Sequence, residues 1–174
     1  KNYHTLIRAF AIVRKSHPDL GLTIVGREID RQYADSLRSL VSDLGLEDSV
    51  RFTGHVETAE LDALYRDCRV FVFPSTVETF GNPLLEAMAA GAPIAASKAA
   101  AMPEVLGEGG VMFDPGDAGD MAAKIEQLLT DPELCRTLGQ IAVKRAQSFT
   151  WPETARQTLG VLRQAAGHGA KTRG

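Results

Sequence analysis

Short apolar runs alternate with longer stretches of helical period along nearly the whole chain, and few folds accept that pattern. Leu22 to Val25 is closed by Gly26, Val50 to Thr53 by Gly54, and Val70 to Phe73 by Pro74. Pro93 to Ser97 and Val111 to Phe113 complete the set, so strands are expected near 22–26, 50–53, 70–73, 93–97 and 111–113. Between them lie helical stripes: Leu6, Ile7, Phe10 and Val13, ended by Pro18; Tyr33, Leu37, Leu40, Val41 and Leu44, stopped at Gly45; and Leu61, Leu64, Tyr65 and Cys68. Further helices are expected over 83–90, stopped at Gly91, over 118–129, and from the Asp131-Pro132 cap. A Thr150-Trp151-Pro152-Glu153 capping box opens a last one to about 166, with Trp151 as a packing staple. Buried strands alternating with helices predict an α/β, Rossmann-like three-layer domain with a mostly parallel sheet.

The length of 174 residues suits one domain, here 1–166, followed by a small-residue tail over 167–174 that is expected to be flexible. The longest apolar run, Ala87 to Ala96, is ten residues, against about 20 for a spanning helix. A net charge of −3 with mixed signs argues against nucleic acid as a partner. Cys68 and Cys135 stand 67 positions apart in helical patterns and read as buried free thiols, which fits a cytoplasmic protein. The chain starts at Lys1-Asn2-Tyr3-His4, with no signal peptide and no initiator Met, and is expected to be a piece of something longer.

In parallel sheets of this kind ligands bind at the carboxyl ends of the strands, near helix N-termini. The loops to search are therefore Gly26-Arg27-Glu28, Gly54-His55-Val56 and Pro74 to Asn82. The last is the richest. Gly81 allows close backbone approach, Asn82 is a cap candidate, and Pro83 fits the first helical turn, so free N–H groups there make an anion site. Glu78 and Glu86 flank it with seven residues between them. Read singly, Glu86 complements the helix dipole and Glu78 is a solvated loop charge. Two acids beside an anion site make fuller sense for a ligand that also carries hydroxyls, such as a diphosphate with a sugar on each side.

This stretch resembles the E-x7-E signature of retaining, nucleotide-sugar-dependent glycosyltransferases of family 4 (group 1), which have the GT-B fold. The resemblance extends over Val50-Arg51-Phe52-Thr53-Gly54, Leu64-Tyr65-Arg66-Asp67-Cys68, Phe71-Val72-Phe73-Pro74-Ser75, Pro103-Glu104-Val105, Gly109-Gly110, Asp114-Pro115-Gly116-Asp117 and Phe149-Thr150-Trp151. It implies that the chain is the donor-binding, C-terminal half of such an enzyme, moving a sugar from a nucleotide diphosphate sugar to an acceptor hydroxyl with retention. By the same resemblance Glu78 binds hydroxyls of the transferred sugar and Lys1 faces the diphosphate, both as catalytic residues. Thr79, Phe80, Gly81 and Asn82 lie along the diphosphate, Glu86 on the nucleotide ribose, Gly54, His55 and Val56 against the base, and Gly26 and Arg27 beside the donor. The acceptor, whether glycan, lipid or small molecule, is expected to be held by an N-terminal domain outside this chain. The whole protein is expected in the cytoplasm or at the inner membrane surface. No cofactor and no metal are expected, since cations and N–H groups serve the leaving group and no Asp-x-Asp pair is present.

Two departures from the family pattern stand out. Its diphosphate-binding Arg and first strand would precede Lys1, and that strand would be central, so strands 22–26 and 70–73 should leave a gap or close up. Where relatives tend to have glycines before Pro-Glu-Val, this chain has Ala99-Ala100-Ala101. A non-catalytic nucleotide-sugar-binding module or inactive fragment is the alternative reading, and a GT-B epimerase a further one. Gly167 to Thr172 follows a helix and lacks a P-loop glycine at Ala170, and the four histidines show no metal-ligand spacing.

Overall fold

The computed structural model describes the backbone of residues 1–171 and the side chains of residues 1–166. Its elements run α1 (Tyr3–Val13), β1 (Leu22–Val25), α2 (Arg31–Asp43), β2 (Val50–Gly54), α3 (Thr58–Asp67), β3 (Phe71–Phe73), α4 (Asn82–Ala90), β4 (Ile94–Ser97), α5 (Met102–Leu106), β5 (Val111–Phe113), α6 (Ala118–Thr130), α7 (Pro132–Ala146) and α8 (Trp151–Lys171). All five strands sit where the apolar runs place them, and every pairing is parallel. The fold class expected from the alternation is the one found.

The strands form two sheets, β1-β2 and β3-β4-β5. The edges of β1 and β3 share no ladder, so of the two outcomes expected there the structure takes the gap. A cavity of about 1120 Å³ occupies it. Leu6 and Phe10 of α1, Ile24 of β1, Leu64 of α3, Val72 of β3 and Ile125 of α6 line it.

α1 ties the two sheets together. Its Ile7 and Phe10 pack with Ile24, Leu37, Val41 and Val50 over β1-β2. Its Leu6, Ala9 and Val13 pack with Ala95, Phe113 and Met121 against one face of β3-β4-β5. The other face of that sheet is covered by α4, α5 and α7 through Leu84, Met88, Met102, Leu106 and Ala142. β4 is buried along its whole length, as the middle strand of a sheet covered on both faces must be.

Several local expectations need correction. α5 has five residues, too few to show helical period, and the sequence pattern did not reveal it. Cys68 and Cys135 are half-buried, not buried. The capping box at 150–153 is half made: Thr150 Oγ1 accepts from Glu153 N, but the Glu153 carboxylate turns to Arg156 and Gln157. Trp151 is no staple, standing 87% exposed. α8 continues to Lys171, five residues past the helix end expected at 166; residues 172–174 lie outside the described residues, and with them the end of the Gly167 to Thr172 stretch. α8 turns Leu159, Val161 and Leu162 outward.

Candidate functional site

The carboxyl ends of β1, β2 and β3, the N-terminus of α4 and the start of the chain converge at one mouth of the cavity. Lys1, Gly26, Gly54, His55, Val56, Ser75, Pro83 and Glu86 all line it.

α4 begins by a tight mechanism. Gly81 is its N-cap, at φ +91. That conformation favours glycine, and an added Cβ there would also lie 3.1 Å from the Phe73 ring and crowd it. Asn82 is the first helical residue and not the cap that its type suggested. Leu84 and Leu85 both donate backward to the Gly81 carbonyl, and Pro83 has no N–H. Among the described residues this leaves the amides of Phe80, Gly81 and Asn82 for an outside acceptor, the three expected to face an anion.

The two glutamates are held differently. Lys1 Nζ donates to Glu78 Oε1 at 2.5 Å. Partial burial pushes the Glu78 carboxyl up, but hydrogen bonds from Lys1 and Ser75 and the positive charge of Lys1 outweigh it and hold it below its ordinary value. Glu86 accepts a 2.9 Å hydrogen bond from the Tyr65 hydroxyl. The Tyr65 phenol is pushed up, first by burial and then by that carboxylate. Tyr65 is fixed in turn by an edge contact with Phe71.

The remaining expected residues divide. Gly26 N donates to Gly54 O at 2.9 Å, which joins the β1 and β2 exits, and His55 and Val56 follow directly. Phe80 packs edge-on against Phe149, just past the end of α7, and Phe149 thereby braces the loop. Thr79 and Arg27 are exposed; Glu78, Thr79, Phe80, Gly81 and Asn82 stand at the rim and, like Arg27, are not among the residues that line the cavity, so of the two glutamates only Glu86 does. Sequence reasoning missed Tyr65, which stands 21 positions from Glu86, and Asn2, whose side-chain amide reaches the exits of β3 and β5. For Asn2 the available signal was its place directly after Lys1.

The structure is an open α/β domain with free amides at a helix N-terminus, a lysine and two carboxylates at its strand ends, where ligands of such sheets are bound. The chain belongs to the glycosyl transferases group 1, whose family pattern matches residues 1–145. It is 34% identical over 156 residues to a serotype-specific mannosyltransferase WbdA of Escherichia coli, covering 89% of this chain and 19% of that protein. Sucrose-phosphate synthase from Thermosynechococcus elongatus superposes with a TM-score of 0.81 at 32% identity, over 97% of this chain and 43% of that one. HepE of Anabaena, solved in complex with UDP-glucose, gives a TM-score of 0.81 at 28% identity, over 92% of this chain and 44% of that one. The chain thus spans less than half the length of each. No helix among the described residues is long and apolar enough to cross a membrane.

Proposed function

We propose that this chain is the donor half of a retaining glycosyltransferase and binds a nucleotide diphosphate sugar at the mouth formed by Lys1, Glu78, Glu86 and the start of α4. The observation that carries the reading is the Lys1–Glu78 contact beside three free amides. It sets a cation, a carboxylate and an anion cradle within reach of one ligand. The UDP-glucose held by HepE makes a uridine diphosphate sugar the first donor to try.

In this reading the amides of Phe80, Gly81 and Asn82 and the Lys1 ammonium stabilise charge on the departing diphosphate. Glu78 accepts hydrogen bonds from hydroxyls of the transferred sugar while its anomeric carbon gains oxocarbenium character. Glu86, oriented by Tyr65, accepts from the ribose hydroxyls, and the Gly54-His55-Val56 loop lies along the base. No metal has a part in it. The acceptor is held by a second half, and the β1–β3 gap seats a further parallel strand of the whole protein. That protein works in the cytoplasm or at the inner membrane surface.

Isothermal titration of the chain with UDP, GDP, UDP-glucose and GDP-linked sugars tests the reading. Saturable binding of a nucleotide diphosphate or its sugar, weakened in Glu86→Ala, is expected. Near-attack positioning of the acceptor is worth about 7–11 kcal/mol of the barrier, so the chain alone should show no transfer. Absence of binding to every nucleotide tried would overturn the donor reading. Turnover of about 1 s⁻¹ or more by the isolated chain would overturn its assignment as half of the machinery.

A further inference from the structure

Asn2 occupies an unusual position. It lies in the left-handed region, φ +61 and ψ +33, directly before α1. Its side-chain amide is fully engaged. Nδ2 donates to Pro74 O at 3.1 Å and to Pro115 O at 2.8 Å, and Oδ1 accepts from Thr5 Oγ1 at 2.7 Å. That set of partners fixes the orientation of the amide, since only nitrogen can face two carbonyls.

The two carbonyls belong to the exits of β3 and β5, which are not neighbours: β4 lies between them. Strands two apart are separated by about 9.5 Å. Two acceptors sharing one nitrogen at these distances lie within about 6 Å of each other. The loops after β3 and β5 therefore converge over the end of β4, and the Asn2 amide bridges them. Underneath, Ser97 Oγ at the end of β4 donates to Ser75 O at 2.6 Å, which anchors the first turn of the β3 loop.

We propose that Asn2 is a positioning residue that holds both ends of the Lys1–Glu78 pair. It fixes the backbone from which Lys1 extends, and it grips Pro74, the root of the loop that carries Glu78. The Lys1 side chain is 57% exposed and has little else to order it. The residue type follows from the geometry. Glycine would supply the left-handed backbone without the bridge. Aspartate would aim an acceptor at two carbonyl oxygens. Asparagine tolerates the conformation and supplies the donors.

The consequence for donor binding rests on the proposed donor site, but the positioning itself is measurable without ligand. The test uses the whole chain with Asn2→Gly, Asn2→Asp and Thr5→Val; the last leaves Asn2 in place and frees its Oδ1. The carboxyl carbon of Glu78 is followed by NMR through its titration. The groups facing it are the Lys1 ammonium, the α-amino group, the Ser75 hydroxyl and the Tyr3 phenol. In Asn2→Gly and Asn2→Asp the Glu78 midpoint should rise toward that of an ordinary carboxylate, and in Thr5→Val it should rise by less. UDP-glucose affinity, measured by calorimetry, should fall about tenfold in Asn2→Gly, which is about 1.4 kcal/mol. A Glu78 midpoint unchanged in all three variants, even with a lowered Tm, would overturn the proposal and leave Asn2 a fold-stabilising residue only. Should the native chain bind none of the nucleotides or nucleotide sugars, the donor reading fails while the Glu78 titration still decides the role of Asn2; should it bind another nucleotide sugar in place of UDP-glucose, the affinity comparison is made with that one.

Discussion

The Tyr65 hydroxyl donates to Glu86 Oε2 at 2.9 Å, joining the last turn of α3 to the second turn of α4 across the cavity mouth. Tyr65 is buried, so its ring belongs to the core while its hydroxyl serves the site. Tyr65→Phe keeps the ring and releases the carboxylate. It should weaken nucleotide binding about threefold, the effect of a lost orienting hydrogen bond. Glu86→Ala removes the acceptor itself and should cost about 1–3 kcal/mol of binding. Titration calorimetry of both variants checks the order; a larger loss in Tyr65→Phe would show that the hydroxyl, not the carboxylate, meets the ligand.

The Lys1–Glu78 pair gives stability a defined pH dependence. The folded-state pKa of Glu78 is depressed, so its contribution is fully present above the ordinary carboxylate range and is lost as pH falls through the folded value. With Lys1 more than half exposed the contribution should be about 1 kcal/mol or less. The Tm difference between the native chain and Glu78→Gln should be greatest near neutral pH and should close as acidification carries the solution below the ordinary carboxylate range. A difference constant over that range would separate Glu78 stability from its ionisation.

Ala100 lies at φ +48 in the loop between β4 and α5, a conformation that costs a non-glycine residue about 1–2 kcal/mol. Ala100→Gly relieves it, partly offset by the greater freedom of glycine in the unfolded chain. The net gain should be about 1 kcal/mol, raising Tm by about 2–4 °C for a chain of this size. Thermal unfolding followed by circular dichroism measures it, and an unchanged or lowered Tm refutes the strain.

Gly81→Ala should do the reverse. The strained φ and the approach to the Phe73 ring should cost about 1–3 kcal/mol and displace the amides at the start of α4. Asn82→Ala, at an exposed first helical position with no capping bond, should change stability by no more than about 0.5 kcal/mol. Denaturant melts of the pair discriminate the glycine cap from the asparagine cap that the residue types favoured.

Local pattern carried the strands and most helices, because alternation and 3.6-residue period are properties of neighbouring residues. It carried the loop from Pro74 to Asn82 for the same reason: strand, polar loop, glycine and proline lie in one continuous stretch. It failed where a relation spans the fold. Lys1 meets Glu78 across 77 positions, and Asn2 reaches Pro115 across 113. Neither pairing has any trace in spacing. Trp151 failed differently: a large apolar residue after a cap looks like a packing element, yet the chain offers it nothing to pack on. The cap of α4 was misplaced by one residue because Asn is the commoner capping type, while the cap position lies at φ +91, where glycine is favoured.

The gap between β1 and β3 also sets how the molecule comes apart. Each sheet is built from a contiguous stretch, 22–54 and 71–113, and no backbone ladder crosses between them. Among the described residues α1 contributes buried side chains to both neighbouring clusters, Ile7 and Phe10 to one, Leu6, Ala9 and Val13 to the other, with the half-buried Leu22 of β1 packed against both. Loosening one half strips that helix of one face and leaves the second in place. Amide exchange should therefore sort the chain into two cooperative units with different opening free energies. The protons of α1 should keep time with whichever unit opens last.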